Sequence, residues 1–281
     1  MEKYGMVINV AKCTGCCNCF ISCKDENCNE AHEGYTAAQP MTGQKWMDVT
    51  EIERGTFPKV KLSCIPTPCM HCDNPGCMKQ AQNGAVYKRP DGIVIIDPEK
   101  SKGQKDIVNT CPYRRIFWNE ELQIPQKCDL CAHLLDRGYK MPRCVEMCPT
   151  GALEFGDFND PESEVSKLLA QNPSPIHPEY ELRERVVYLN YPKNFITATI
   201  VYKETDMCVE GAKVTLDGED VHMEALTDNY GDFYFDGLDS MKNFKIKIEL
   251  EGYKTVEMEA RTYTSVNLGD VFLEKTDAVT V

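Results

Sequence analysis

Cysteine spacing constrains this chain more than any other feature. Between Cys128 and Pro149 four cysteines run C-x2-C-x12-C-x3-C-P, at Cys128, Cys131, Cys144 and Cys148. An N-terminal run, Cys13, Cys16, Cys19 and Cys23, has the form C-x2-C-x2-C-x3-C. A third group is Cys69-x2-Cys72-x4-Cys77, followed at a distance by Cys111-Pro112. The chain has 16 cysteines in 281 residues, and fifteen precede residue 149. The opening MEKYGMVINVAKC carries no secretory h-region and no cleavage site. A disulfide framework is therefore disfavoured, and reduced thiolates that hold metal are the default. A cytoplasmic location is expected, with export alongside a signal-bearing partner left open.

The first run has the spacing in which three close cysteines grip one [4Fe–4S] cluster and the fourth ligates its neighbour. Short gaps let one loop reach three corners of a cube, and the x3 step starts a helix that points the last sulfur away. A zinc site needs four ligands but gains nothing from a cysteine directed elsewhere. By the same rule the sets close across the sequence. Cluster 1 takes Cys13, Cys16, Cys19 and Cys148; cluster 2 takes Cys23, Cys128, Cys131 and Cys144; cluster 3 takes Cys69, Cys72, Cys77 and Cys111. Iron is the expected metal at all twelve. A fourth cluster would need cysteines at Ser101, Gln104, Ile107 and Ala81, and all four are absent together. The pattern reads as one cluster of an ancestral four deleted whole. Cys17, Cys28, Cys64 and Cys208 have no motif position and read as packing or surface thiols. Lys24 stands where proline normally follows the fourth cysteine.

These residues resemble the electron-transfer subunits of the dimethyl-sulfoxide-reductase superfamily of molybdopterin oxidoreductases. The phrases TPCMHC, NGAVY, DGIVIIDPEK, TCPY, WNEE and KMPRC, with three clusters rather than four, look like a narrower group. That group is the small subunits of polyphenol transhydroxylases and anaerobic catechol dehydroxylases. The resemblance implies a heterodimer whose large subunit carries the molybdopterin (Mo or W) and the substrate. The small subunit carries clusters and no catalytic residue, and an external electron donor is a further partner. No nucleophile–base pair, P-loop or dinucleotide fingerprint appears in the sequence. A net charge of -13 argues against nucleic acid or an anionic membrane as partner, and no eighteen-residue apolar run exists to span a bilayer.

The expected architecture is an α+β ferredoxin-like domain over 1–156 with two pseudo-repeated cluster-binding halves. Residues 27–63 form an insertion, with Trp46, Met47 and Ile52 as buried anchors. A linker over 157–194, rich in proline and acid, wraps on the first domain and holds a short helix within 162–171. An all-β sandwich of immunoglobulin- or transthyretin-like form covers 195–275, and a tail covers 276–281. The sandwich follows from seven short segments of period-two alternation, such as Phe244, Ile246 and Ile248 against Lys245 and Lys247, separated by turn signals. His71 and His133, beside ligand cysteines, are expected to hydrogen-bond around the clusters rather than ligate. Lys24, Lys127, Lys140 and Arg143 would raise cluster potentials if close to them.

Overall fold

The computed structural model describes residues 2–276, so the expected tail lies outside the described residues apart from Thr276. The chain divides into two compact units, 1–52 with 63–191, and 53–62 with 192–281.

The first unit opens with β1 (Tyr4–Asn9), whose central residues Met6, Val7 and Ile8 are fully buried. A cysteine loop leads into α1 (Asn18–Asn27). The hairpin β2 (Asp48–Thr56) and β3 (Lys59–Thr67) follows, and its far end, 53–62, is counted with the second unit. The expected insertion is thus divided between the two units. Next come α2 (Gly76–Gln80) and two small hairpins. The first pairs β4 (Val86–Lys88) with β5 (Val94–Ile96), the second β6 (Phe117–Asn119) with β7 (Ile124–Gln126). Short helices α3 (Ala132–Asp136) and α4 (Arg143–Glu146) precede β8 (Leu153–Asp157).

The segment read as a linker contributes structure of its own. Ser163 caps α5 (Glu164–Leu169) by accepting the Ser166 N–H, and Val165 is buried on its inner face. β9 (Val186–Leu189) is buried along its length and pairs in parallel with β1. β1 therefore sits between β8 and β9, with Ile8 opposite both Leu153 and Tyr188. Met6 and Ile8 enter one buried cluster and Val7 another with Val165 of α5; a strand covered on both faces needs apolar residues throughout, which explains why MVI reads as a continuous run. The anchors Trp46 and Met47 are buried in the same core as Met6, Ile8, Ile93 and Ile95; Ile52 packs at its margin.

The second unit is mostly β. β10 (Asn194–Tyr202) lies between β13 (Asp232–Leu238) and β16 (Val266–Leu273), antiparallel to the former and parallel to the latter. A four-stranded antiparallel sheet has the order β12 (His222–Leu226), β11 (Lys213–Asp217), β14 (Asn243–Glu249), β15 (Val256–Arg261). Ile196, Ile200, Val214, Phe235, Ile246 and Ile248 form one buried core, each worth about 1.5–3 kcal/mol of burial. The far end of the β2–β3 hairpin joins this unit through Lys59, which pairs with Asp232 beneath the Thr199 hydroxyl. Gly55 there has φ +92°, and a Cβ would meet the Lys59 carbonyl oxygen at 2.3 Å and the Phe195 ring at 2.6 Å. Among the described residues no helix is long and apolar enough to cross a membrane.

Candidate iron–sulfur centres

Strand pairing builds the first centre. β1 ends four residues before Cys13 and β8 begins five after Cys148, and the Asn9 N–H donates to the Ala152 carbonyl at 2.8 Å. The two ends of the first set are thereby held side by side, although far apart in sequence. Burial pushes the Cys19 thiol up to about 12, and the nearby Cys13, Cys148 and Cys16 add to the effect. Cys148 goes the other way. Burial would raise its thiol, but the backbone N–H groups of Leu153, Ala152 and Thr150 and the Thr150 hydroxyl outweigh it and hold it below the ordinary value. The Ala152 N–H lies 3.3 Å from Sγ. The turn Cys-Pro-Thr-Gly-Ala thus wraps one sulfur in amide donors.

The second centre is held by helices. α1 packs on α4, which brings Cys23 to Cys144, while Cys128 and Cys131 approach from the loop before α3. All four are buried. Burial raises Cys128 and Cys144 well above ordinary thiols, and each also senses Cys23. Cys144 senses Cys19 as well, so the first two centres adjoin. Leu130 and Cys131 have φ of 55° and 49°. The Leu130 N–H lies 3.4 Å from Cys128 Sγ. Arg143 Nε donates to Glu26 Oε2 at 2.7 Å, which ties the two helices one turn past Cys23 and beside Cys144.

The third centre surrounds a small pocket lined by Cys69, Cys72, Cys77 and Cys111 with Met70, Pro75, Val94 and Ile116. Cys69 and Cys72 come from the loop after β3, Cys77 from α2, and Cys111 from the end of a 3-10 turn over Lys105–Thr110. Burial raises Cys77 to about 11, against which the Lys127 charge pulls. The Arg115 N–H approaches Cys111 Sγ at 3.4 Å, and the Arg115 guanidinium faces Asp48 at 3.4 Å. His71 is fully enclosed with φ 45°, and its Nδ1 accepts the Val94 N–H at 3.0 Å. Burial, helped by Lys127 and Lys88, keeps the imidazole well below its ordinary pKa. It is therefore neutral, with the proton on Nε2, which has no hydrogen-bond partner among the described residues.

A cavity bounded by four sulfurs, with no carboxylate among its lining residues, suits a group that is itself made of iron and sulfide. Thiols this deeply desolvated are poor free thiolates and need a bound cation to ionise. The residues fit an iron–sulfur cluster.

The positions a fourth cluster would need also converge, but on side chains. Ser101 and Ile107 are fully buried, and Ala81 packs with Ile107, Val86 and Ile96 in one apolar cluster. Gln104 accepts the Gln82 N–H at 2.9 Å and donates to the Lys100 carbonyl at 2.7 Å. A packed core and a glutamine clamp occupy that space.

Other polar groups read differently in place. Lys24 bonds the Pro40 carbonyl at 2.9 Å, and Lys140 is exposed. His133 Nε2 meets Glu26 Oε1 at 2.8 Å and its ring stacks on His32 with centroids 3.5 Å apart and planes within 10°. Parallel rings cannot aim in-plane lone pairs at one ion, and Arg143 already faces Glu26, so the Glu26, His32, His133 group suits ion pairing better than metal. Cys64 has no motif position in the sequence and reads as a packing or surface thiol. It lies against Gly15, where a Cβ would meet its Sγ at 2.6 Å, and it adds to the burial that raises Cys13. Its position on β3 carried no spacing signal.

Residues 60–158 match the family described as a 4Fe-4S dicluster domain. The chain is 43% identical to the pyrogallol hydroxytransferase small subunit of Pelobacter acidigallici, over 97% of this chain and 100% of the relative. A tetrathionate reductase subunit of Salmonella typhimurium is 34% identical over 70% of this chain and 76% of the relative. The iron-sulfur subunit of arsenate respiratory reductase from Shewanella sp. is 29% identical over 66% of this chain and 96% of the relative. The chain belongs to the family of the pyrogallol hydroxytransferase small subunit.

Proposed function

We propose that this chain is the electron-transfer subunit of a heteromeric molybdopterin enzyme acting on a polyhydroxylated aromatic, of transhydroxylase or catechol dehydroxylase type. It would carry three [4Fe–4S] clusters on the sets Cys13, Cys16, Cys19 and Cys148; Cys23, Cys128, Cys131 and Cys144; and Cys69, Cys72, Cys77 and Cys111. The molybdopterin and the substrate would belong to a large partner subunit, with an external donor as electron source where the reaction is a net reduction. The finer fold reading, a ferredoxin-like cluster domain followed by an immunoglobulin- or transthyretin-like sandwich, goes with this proposal. The observation that carries it is the similarity to a transhydroxylase small subunit over the full length of both chains.

Bound clusters would supply one-electron storage and transfer. The chain's own residues do the rest. β1 and β8 register the first set, α1 and α4 close the second, and α2 with the 3-10 turn closes the third. The four cysteines of the second set are buried, whereas Cys16 of the first is exposed, and the N–H groups of Ala152, Leu130 and Arg115 lie at 3.3–3.4 Å from Cys148, Cys128 and Cys111. Such bonds stabilise the reduced, more negative cluster.

Anaerobic purification with the neighbouring large subunit tests this. The expected product is a brown complex with about twelve iron atoms per small chain and molybdenum or tungsten on its partner. It should turn over a polyhydroxylated benzene. Stoichiometric zinc with little iron, or a small chain that elutes alone from native material, would defeat the proposal.

A further inference from the structure

Lys127 is the most deeply buried lysine or arginine among the described residues, with 3% exposure. Its ammonium donates to the Val94 carbonyl and, at 2.8 Å, to the Cys128 carbonyl. It has no carboxylate at ion-pair distance among the described residues. Lys88, which is less buried, shows the usual arrangement: it reaches backbone carbonyls and also Asp73 at 3.0 Å. An ammonium buried on carbonyl dipoles alone keeps an uncompensated charge, which a nearby anionic group would offset. The side chain lines the cavity formed by Cys69, Cys72, Cys77 and Cys111, and its charge reaches Cys77 and Cys111. Four thiolates around an oxidised cluster would leave a net charge of about -2 in that cavity.

We propose that Lys127 is a positioning residue that serves as the fixed counter-charge of the third cluster and sets its reduction potential above the value its sulfurs alone would give. The inference rests on the three-cluster reading. Reduction adds an electron to a site already negative, and a cation on its wall favours the reduced state. The Val94 strand holds the arrangement from both sides, since its N–H goes to His71 and its carbonyl takes Lys127. Position 127 precedes a ligand of the second cluster, but its ammonium projects into the wall of the third.

The test uses the purified complex, with Lys127→Met, Lys127→Gln and Lys127→Arg, iron analysis and a redox titration followed by electron paramagnetic resonance. The third cluster's signal is defined as the one lost or altered in Cys72→Ser; if wild type has no such signal, the three-cluster reading fails and not this inference alone. With iron retained, Lys127→Met should shift that cluster's one-electron equilibrium at least tenfold toward the oxidised form, about 59 mV. The other two clusters should stay within a smaller shift, and Lys127→Arg should restore most of the change. Loss of one cluster's iron in both neutral variants, with retention in Lys127→Arg, also supports a charge role. An unmoved potential at full iron content, or equal iron loss in all three variants, overturns it.

Discussion

Arg143 Nε lies 2.7 Å from Glu26 Oε2, and the two residues sit next to the cysteines that join α1 to α4. Glu26 also accepts from His133, and Arg143 reaches Glu146 at 2.6 Å. The pair matters because neither helix is long: α4 has 4 residues, too few to stand without tertiary support. Burial would raise the Glu26 carboxyl, but the hydrogen bonds of His133 and Arg143 prevail and hold it below 4.5. A carboxyl depressed in the folded state adds stability above its unfolded pKa and loses it as pH falls through the folded one. Arg143→Met should therefore cost about 1–2 kcal/mol near neutrality. The difference in thermal midpoint from wild type should shrink below about pH 4.5. A constant difference across pH 3–7 would mean that packing, not the ion pair, carries the effect.

The region around Ser101, Ile107 and Ala81 should behave as an ordinary apolar core. Ile107 is fully buried among Val86, Val94, Ile96 and Ile116. Ile107→Ala should lower unfolding stability by about 2–5 kcal/mol. It should leave iron content unchanged. Loss of iron in proportion to the destabilisation would show that the third centre depends on this packing.

Cys64 and Cys17 lie beside the first centre, yet neither belongs to a ligand set. Cys17 bonds the Gly15 carbonyl at 3.4 Å. Cys64→Ser and Cys17→Ser should each retain about twelve irons per chain and all three cluster signals. A missing cluster in either variant would move that residue into the ligand shell and displace one of the proposed four.

In the second unit, Gly55 is required by its left-handed backbone and by the Phe195 ring behind it. Gly55→Ala should destabilise that unit by about 1–3 kcal/mol. Circular dichroism of the melt should report it while visible absorption of the clusters does not change at ambient temperature.

Much of this was legible in the sequence because cysteine spacing is a geometric instruction. A loop of two-residue gaps followed by an x3 step can only present sulfurs in a limited way, so the proposed grouping rests on spacing and needs no strand to be placed first. The alternation of Phe244, Ile246 and Ile248 gave β14 for a similar reason: one face of a sheet is buried and the other is not. What stayed hidden depends on distance through space. Val186–Leu189 is an apolar run inside a proline-rich segment, and nothing local shows that β1 has an open edge for it. The division of the β2–β3 hairpin between units has no period of its own to signal it. Lys127 was one of four basic residues near ligands, and burial alone separates it from the exposed Lys140.

In the proposed arrangement Cys23 and Cys148 exchange partners, so that each closes a centre whose other ligands lie more than a hundred residues away. Electron paramagnetic resonance of single serine variants in the purified complex tests it. Cys23→Ser and Cys131→Ser should alter one and the same cluster signal, and Cys148→Ser and Cys16→Ser should alter a different one. If Cys23→Ser instead perturbs the signal that Cys16→Ser perturbs, each run closes its own cluster and the account is wrong.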